Sequence, residues 1–173
     1  MPHFHASTVS ESIRFRRVSL TDNHRTMRPH FLPYVRGNPY QPMLLNALKQ
    51  EGVEVQTEGS LKALVRQLRR NGQRPELVHL HWLPNAGHSP GRIARWLMFE
   101  RRVSFLHRRG VPLVWTAHNL VPHESRTPSL DLWLTRRVVK LAGGIICHSA
   151  AARDEILERL RPDDVSRLKV IRH

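Results

Sequence analysis

The sequence predicts an α/β protein built on a Rossmann-like, doubly wound parallel sheet of about six strands. Three observations support this fold class. Short apolar runs recur from residue 31 to residue 171, and the run at 112–118 is continuous, as expected for a strand that is covered on both faces. Most of the segments between the runs are long enough for helical crossovers, which join parallel strands with a right-handed connection. A chain of 173 residues provides roughly one domain with a hydrophobic core.

Six segments have the composition and length of strands. They contain Val, Ile, Leu, Trp and Thr, and they are bounded by Gly, Pro or Asn, which favour turns. In chain order they are residues 31–35, 53–55, 75–82, 112–118, 143–148 and 168–171.

Five segments between these strands are predicted to be helices. Asn38 and Pro39 open the first helix, Gly110 stops the third and Ser149 caps the last. The second is marked by Leu and Val at three- and four-residue spacing, and Gly72 closes it. In chain order the helices are residues 38–49, 61–71, 91–109, 128–141 and 150–160.

Residues 1–28 differ from the rest of the chain. They contain His, Ser, Thr and Arg, with few apolar positions and no sustained period. Such a composition predicts a flexible basic leader rather than part of the core. Residues 29–173 are therefore expected to form the Rossmann-like domain.

Charge and cysteine content restrict the classes of protein to be considered. The formal net charge of +14 attracts phosphate-rich polymers and anionic lipid surfaces. Cys147 is the only cysteine, which excludes a disulfide framework and a zinc site with four thiolates. No segment approaches the roughly 20 apolar residues that span a bilayer, and residues 1–17 lack a secretory signal. We expect a cytoplasmic protein, with peripheral attachment to the inner face of the membrane as a further expectation.

Polar groups follow the strand at 112–118 directly. His118 and Asn119 come at its end, and His123 and Glu124 lie in the loop that follows. In open parallel sheets, ligands bind beyond the carboxyl ends of the strands. These four residues are therefore candidates for a binding or catalytic site, and His118 is the first of them.

Several motifs together resemble a known family. They are Asn38-Pro39-Tyr40, Leu77-Val-His-Leu-His-Trp82, Val114-Trp-Thr-Ala-His-Asn119, Pro122-His-Glu124 and Ile145-Ile-Cys-His-Ser149. In this combination the chain resembles the N-terminal half of GT-B glycosyltransferases of the large bacterial family 4, over roughly residues 31–173. The pairing of Trp-Thr-x-His-Asn with Pro-His-Glu is its most specific part.

The resemblance implies an enzyme with two Rossmann-like domains, the first for the acceptor and the second for the donor. The intact enzyme would move a sugar from a nucleotide-diphosphate sugar to a hydroxyl of a saccharide or lipid-linked saccharide acceptor. The last strand leads into Arg172 and His173, where relatives continue as Pro-His-Gly, and no paired glutamates for the donor are found. We therefore expect a fragment that lacks the donor domain and binds no cofactor itself. It is either a truncated or degenerate gene product or one half of an enzyme that works with a separate donor-domain polypeptide.

The resemblance also implies roles for individual residues. His118 and Glu124 are the expected catalytic residues, because the matching histidine faces the donor sugar and a carboxylate can accept hydrogen bonds from sugar hydroxyls. Gly37 is expected near a phosphate, at a strand-to-helix turn. The expected acceptor-binding residues are Asn38, His81, Trp82, Asn119 and His123. The alternative for each is a structural role at a strand end or in a solvated loop.

His79 and His81 raise the question of a metal. They are two residues apart on a predicted strand, so both side chains point to the same face. Their spacing matches no zinc signature, and histidine clusters without a metal are common. No metal site is predicted, and His79 is expected to pack below His81 and Trp82.

The helix at 91–109 is predicted to be amphipathic. Ile93, Trp96, Leu97 and Val103 are expected to pack on the sheet. A basic stripe near Phe99 and Phe105 is expected to face an anionic membrane, with a plain solvated face as the alternative. The stripe consists of Arg95, Arg101, Arg102, Arg108 and Arg109.

The alternative from another functional class is a noncatalytic basic module that binds nucleic acid through phosphate contacts. An aromatic content of 6% and the lack of a helix-turn-helix, zinc-finger or RNA-binding signature argue against it.

Overall fold

The computed structural model describes residues 27–35, 37–57, 59–84, 90–118, 120 and 128–172. Its described part is a Rossmann-like α/β domain with a parallel sheet and flanking helices. The strands are β1 (His30–Leu32), β2 (Val78–Leu80), β3 (Leu113–Ala117), β4 (Gly144–Cys147) and β5 (Leu168–Val170). The helices are α1 (Tyr40–Gln50), α2 (Leu61–Asn71), α3 (Pro90–Arg108), α4 (Pro128–Leu141) and α5 (Ala150–Leu160), and a 3₁₀ turn occupies Val165–Arg167.

The helix ends follow the local chemistry of the sequence. The Ser60 hydroxyl accepts a hydrogen bond from the N–H of Ala63, and the Ser149 hydroxyl accepts one from Ala152, so each satisfies a free donor of a first turn. Gly72 ends α2 with a φ of 71°, which glycine adopts without steric cost. The five predicted helices are thereby confirmed, with bounds that shift by at most two residues.

The predicted second strand, residues 53–55, is not a strand of the sheet. The N–H of Val53 donates to the carbonyl of Leu48 and so completes the end of α1. The segment that follows makes a single parallel bridge to β1, between His30 and Gln56. Residues 54–56 run beside residues 27–31, because the N–H groups of Glu54 and Gln56 donate to the carbonyls of Met27 and Pro29, but the single bridge does not make this segment a sixth strand.

The order of the strands changes direction beside β1, although all strands run parallel. The five strands are hydrogen-bonded in the order β1-β2-β3-β4-β5, and all are parallel. The bridge at Gln56 lies on the outer side of β1, so the chain leaves β1 in one direction and returns across it to β2. Ligands of such sheets bind at this switch point, beyond the carboxyl ends of the strands.

The hydrophobic core lies on one face of the sheet. Leu80, Trp115 and Ile145 from the central strands pack there with buried side chains of α2 to α5. Cys147 belongs to the same core and is fully buried. Because side chains alternate along a strand, His79 and Thr116 lie on the opposite face, which Tyr40 of α1 approaches.

The buried face of α3 differs from the predicted one. Trp96 and Val103 are buried as expected, but Phe99 and Leu106 complete the buried stripe at three- and four-residue spacing. Ile93 is 38% exposed and Leu97 is 48% exposed. At 100° per residue, Ile93 and Leu97 lie to one side of the stripe formed by Trp96, Phe99, Val103 and Leu106, so they face away from the core.

The predicted leader lies outside the described residues, except for Met27 and Arg28. The N–H of Arg28 donates to the carboxylate of Glu76, and its guanidinium pairs with Glu54 at 2.9 Å. The domain boundary near residue 28 stays a prediction.

Candidate functional site

Three neighbouring strands are each followed by a histidine at their carboxyl ends. His81 follows β2, His118 follows β3 and His148 follows β4. With His79 of β2 they form a group that we call the imidazole cluster. Adjacent ring centroids are 4.2 Å apart for His79 and His81, 6.1 Å for His81 and His118, and 5.2 Å for His118 and His148.

Tyr40 opens α1 and covers the imidazole cluster from one side. Its ring centroid lies 5.3 Å from those of both His118 and His148, and 6.0 Å from that of His81. Burial raises the pKa of Tyr40, while a hydrogen bond with the Thr116 side chain acts in the opposite direction. The first turn of α1 therefore reaches the strand ends that carry the histidines.

His79 lies at the base of the cluster. Its Nε2 and the Thr116 hydroxyl are 2.7 Å apart, and both residues are buried. The Phe31 ring contacts it from β1, with centroids 4.7 Å apart. Burial lowers the pKa of His79 to about 3, and repulsion from His81 and His118 adds to the shift. This imidazole is uncharged at neutral pH and belongs to the support of the site.

His81 lies above His79 and is 1% exposed. Burial lowers its pKa to about 4, with repulsion from His118 and His148 as further causes. Neither ring nitrogen has a hydrogen-bond partner among the described residues. An uncharged imidazole offers one donor and one acceptor, so His81 can hydrogen-bond a hydroxyl without adding charge.

Trp82 and His118 form the outer part of the site. Their rings are stacked, with centroids 4.9 Å apart and an interplanar angle of 15°. His118 is partly exposed, and its chain turns sharply, because its N–H donates to the carbonyl of Thr116. The ends of β2 and β3 thus bring an indole and an imidazole ring together at one edge of the sheet.

Comparison with known families agrees with this geometry. The sequence matches Glyco_transf_4, Glycosyltransferase Family 4, over residues 24–173. The chain belongs to glycosyltransferase family 4. No curated protein is significantly similar to it. The family match confirms the resemblance to the N-terminal domain of a GT-B enzyme and does not favour the nucleic-acid alternative.

The structure of this family 4 domain brings some of the predicted site residues together. His81, Trp82 and His118 meet at the ends of β2 and β3, as predicted. Asn119, His123 and Glu124 lie outside the described residues, so their roles stay predictions.

Asn38 and Gly37 lie in the turn between β1 and α1. The side-chain oxygen of Asn38 accepts a hydrogen bond from the N–H of Tyr40, which positions the tyrosine at the start of the helix. A Cβ added at Gly37 would meet no atom within 4 Å, so steric crowding does not require glycine there. Their predicted contacts with acceptor and phosphate stay predictions.

Three residues of the site were not predicted from the sequence. They are Tyr40, Gln41 and His148. Gln41 is fully buried and holds the turn after β1, because its side-chain oxygen accepts from Val35 and its nitrogen donates to Pro33. The Nδ1 of His148 donates to the carbonyl of Ile171, which ties it to the end of β5. A histidine directly after a strand, as at His118, was the available signal for His148.

The histidines of the family 4 domain form no metal site in the described part of the chain. No group of three or more His, Cys, Asp or Glu side chains there could hold a metal ion. The histidine rings are stacked or tilted relative to one another, with the centroid distances given above, which is a packing arrangement rather than convergence on one point.

The predicted basic stripe is distributed over two surfaces. Arg101 and Arg102 line a groove of about 590 Å³ between α2 and α3, together with cations from α2. Those cations are Lys62, Arg66, Arg69 and Arg70. Arg95, Arg108 and Arg109 are exposed but do not line the groove, and the Arg109 guanidinium lies over the Phe105 ring at 5.2 Å. Phe99 was predicted beside the stripe but is buried in the core.

No helix in the described part of the chain combines the length and the apolar content that crossing a bilayer requires.

Proposed function

We propose that this domain holds the acceptor of a glycosyltransferase that moves a sugar from a nucleotide-diphosphate sugar to an acceptor hydroxyl. The observation that carries the proposal is the imidazole cluster at the carboxyl ends of three adjacent strands. At this edge, uncharged hydrogen-bonding groups lie next to an indole ring, beside the switch point of the sheet.

The chemistry suits sugar transfer. As the donor bond breaks, positive charge develops at the anomeric carbon, and a charged neighbour of the same sign would raise the energy of that state. His81 is uncharged at neutral pH, so it hydrogen-bonds hydroxyls without such repulsion. In this proposal His118 contacts the donor sugar, while Glu124 and His123 contact the acceptor hydroxyl.

The donor nucleotide and its phosphates are assigned to a second Rossmann-like domain, in the same polypeptide or in another. An active site between two domains needs both walls before the reacting groups are aligned. We therefore expect no sugar transfer by the 173-residue chain alone. Purified chain is incubated with a panel of nucleotide sugars and saccharide acceptors, and products are followed by mass spectrometry. Turnover above that of heat-denatured protein would show that this assignment is wrong.

We also propose that the acceptor is a lipid-linked saccharide and that α2 and α3 rest on an anionic membrane surface. The groove cations Lys62, Arg66, Arg69, Arg70, Arg101 and Arg102 favour phosphate headgroups. Met98 of α3 lines the same groove and is 50% exposed. A mixed basic and apolar surface suits the membrane interface better than a nucleic-acid backbone.

Vesicle binding is expected to rise with the fraction of anionic lipid and to fall with salt, because charges are screened over about 8 Å at physiological ionic strength. The triple variant Arg66→Gln, Arg101→Gln, Arg102→Gln, which removes three groove cations, should sediment less with anionic vesicles, while its circular dichroism spectrum is unchanged. A control with the same loss of charge replaces Arg153, Arg161 and Arg172, which are exposed elsewhere. Equal sedimentation of the two variants would identify the groove as a solvated surface.

A further inference from the structure

A second cavity lies beside the imidazole cluster, between α3, α4 and the carboxyl ends of β2 and β3. Its volume is about 190 Å³. Three tryptophans line it, Trp82 after β2, Trp96 of α3 and Trp115 of β3. Protein interiors are otherwise close-packed, with few voids larger than a water molecule. A space of this size among aromatic rings is therefore a candidate ligand site.

The opposite wall of the cavity is polar and comes from α4. Asp131 and Thr135 line it, and they are only 3% and 5% exposed. Asp131 lies in the first turn of α4, where the helix dipole favours a negative charge. The Thr135 hydroxyl donates to the main-chain carbonyl of Asp131, which leaves its oxygen able to accept a hydrogen bond.

His81 adds a further polar side chain to the cavity wall. It lines the cavity, and its two ring nitrogens are buried and lack hydrogen-bond partners among the described residues. Buried polar atoms are almost always paired, with protein, water or ligand. A ligand with hydroxyl groups would supply the missing partners.

The lining matches the surface of a sugar ring. A pyranose presents C–H groups on its faces, which pack against indole rings, and hydroxyls around its edge, which bond to carboxylates and imidazoles. The cavity is smaller than the about 300–1,000 Å³ of sites for drug-sized ligands, so it suits a single ring.

We propose that this cavity binds one pyranose ring of the saccharide acceptor, with Asp131 accepting hydrogen bonds from its hydroxyls and the tryptophans contacting its C–H face. The identity of that ring as the acceptor rests on the function proposed above, whereas binding of a pyranose does not.

Intrinsic fluorescence tests the proposal directly, because three of the four tryptophans of the chain line the cavity. The fourth, Trp133, is 50% exposed on α4 and is replaced by Phe, so that the signal comes from the cavity. The full chain is titrated with methyl α-glucopyranoside, methyl α-mannopyranoside and methyl α-galactopyranoside. A saturable change is expected with at least one of them, with a Kd on the order of 1 mM for so small a ligand.

Two variants locate the binding. Asp131→Asn keeps the shape of the side chain but removes its charge, and Leu83→Phe narrows the cavity from a half-buried position without touching the carboxylate. Each should raise the Kd at least about tenfold, because an interaction with a charged partner or the space for the ring is lost. Asp154→Asn, at an exposed position of α5, should leave the Kd unchanged. If Asp131→Asn does not fold, Leu83→Phe decides alone.

The proposal is overturned if none of the three glycosides gives a saturable change, if sorbitol, an open-chain polyol, gives the same change, or if both cavity variants bind as the parent does. A transfer assay with a donor domain separates this outcome from the function. Binding without any transfer would remove the proposed function and the acceptor identity of the ring, and leave pyranose binding in the cavity intact. Transfer with an unchanged acceptor KM in Leu83→Phe would show that the cavity does not hold the acceptor and leave the proposed function intact.

Discussion

His118→Ala is expected to lower kcat about 100-fold when the domain acts together with a donor domain, because a hydrogen bond that strengthens in the transition state affects rate more than binding. The structure supports this expectation, since the His118 ring is stacked on Trp82 at the edge of the imidazole cluster. Loss of the stacking contact costs only about 0.5–1.5 kcal/mol of stability. The variant should therefore fold.

The measurement is steady-state kinetics together with thermal unfolding of parent and variant. The matched control is His107→Ala, because His107 is an exposed histidine in the last turn of α3 and lies outside the cluster. An unchanged kcat in a folded His118→Ala variant would return this residue to a structural role at the strand end.

Acid is expected to destabilise the domain over the range in which free histidines are protonated. The pKa values of His79 and His81 are lowered from 6.5 to about 3 and about 4, so both rings are favoured in their uncharged form in the folded protein. This contribution to stability is fully present above about pH 6.5. It is lost as the pH falls through 6.5 toward the pKa values of the folded state, because the unfolded chain then binds protons that the folded chain does not.

The expected loss is substantial for a domain of this size. A histidine with a pKa of about 4 in the folded state lowers the free energy of unfolding by about 2 kcal/mol at pH 5, relative to a pH well above 6.5. His79 contributes a loss of similar order, and the two losses do not simply add, because mutual repulsion is part of each shift. Natural domains are stable by only about 5–15 kcal/mol.

Urea unfolding at pH 7.5, 6 and 5 measures this dependence. In His81→Gln the free energy of unfolding should depend less steeply on pH, because one titrating group is removed, even if the variant is less stable at every pH. His107→Gln should retain the slope of the parent. Parallel curves for His81→Gln and the parent would show that the imidazole cluster is not the source of the acid sensitivity.

The helices could be predicted from sequence because their signals are local. The spacing of Leu61, Leu64, Val65 and Leu68 gives the buried stripe of α2, and Ser60 and Gly72 mark its ends. The positions of His81 and His118 at strand ends could also be predicted from the sequence, because an apolar run stops at each of them. For α2 the pattern and the fold agree residue by residue, whereas β2 is shorter than the predicted strand at 75–82.

Other features depend on which segments become neighbours. Whether residues 53–55 formed a strand depended on the partner of each backbone N–H, and the N–H of Val53 bonds to Leu48 of α1 rather than to β1. The exposure of Ile93 and Leu97 depended on which side of α3 packs against the sheet. Residue spacing along the chain does not determine either of these contacts.

The polar members of the site were hardest to predict. Asp131 lies in the first turn of a helix, where a carboxylate is common for its effect on the dipole alone. Only the packing of α4 against Trp96 and Trp115 makes it part of a cavity wall. Tyr40 reaches the histidines from a helix that begins more than forty residues away from His81 in the sequence, so no local pattern connects them.

The core position of Cys147 makes the protein a convenient host for fluorescent labelling. Only a thiolate reacts with maleimides, and burial raises the pKa of the Cys147 thiol in addition to shielding it. A cysteine introduced at the half-exposed Trp133 position of α4 is then the thiol that takes the dye. Distances between this domain and a labelled donor domain can be followed by energy transfer without first removing the native cysteine.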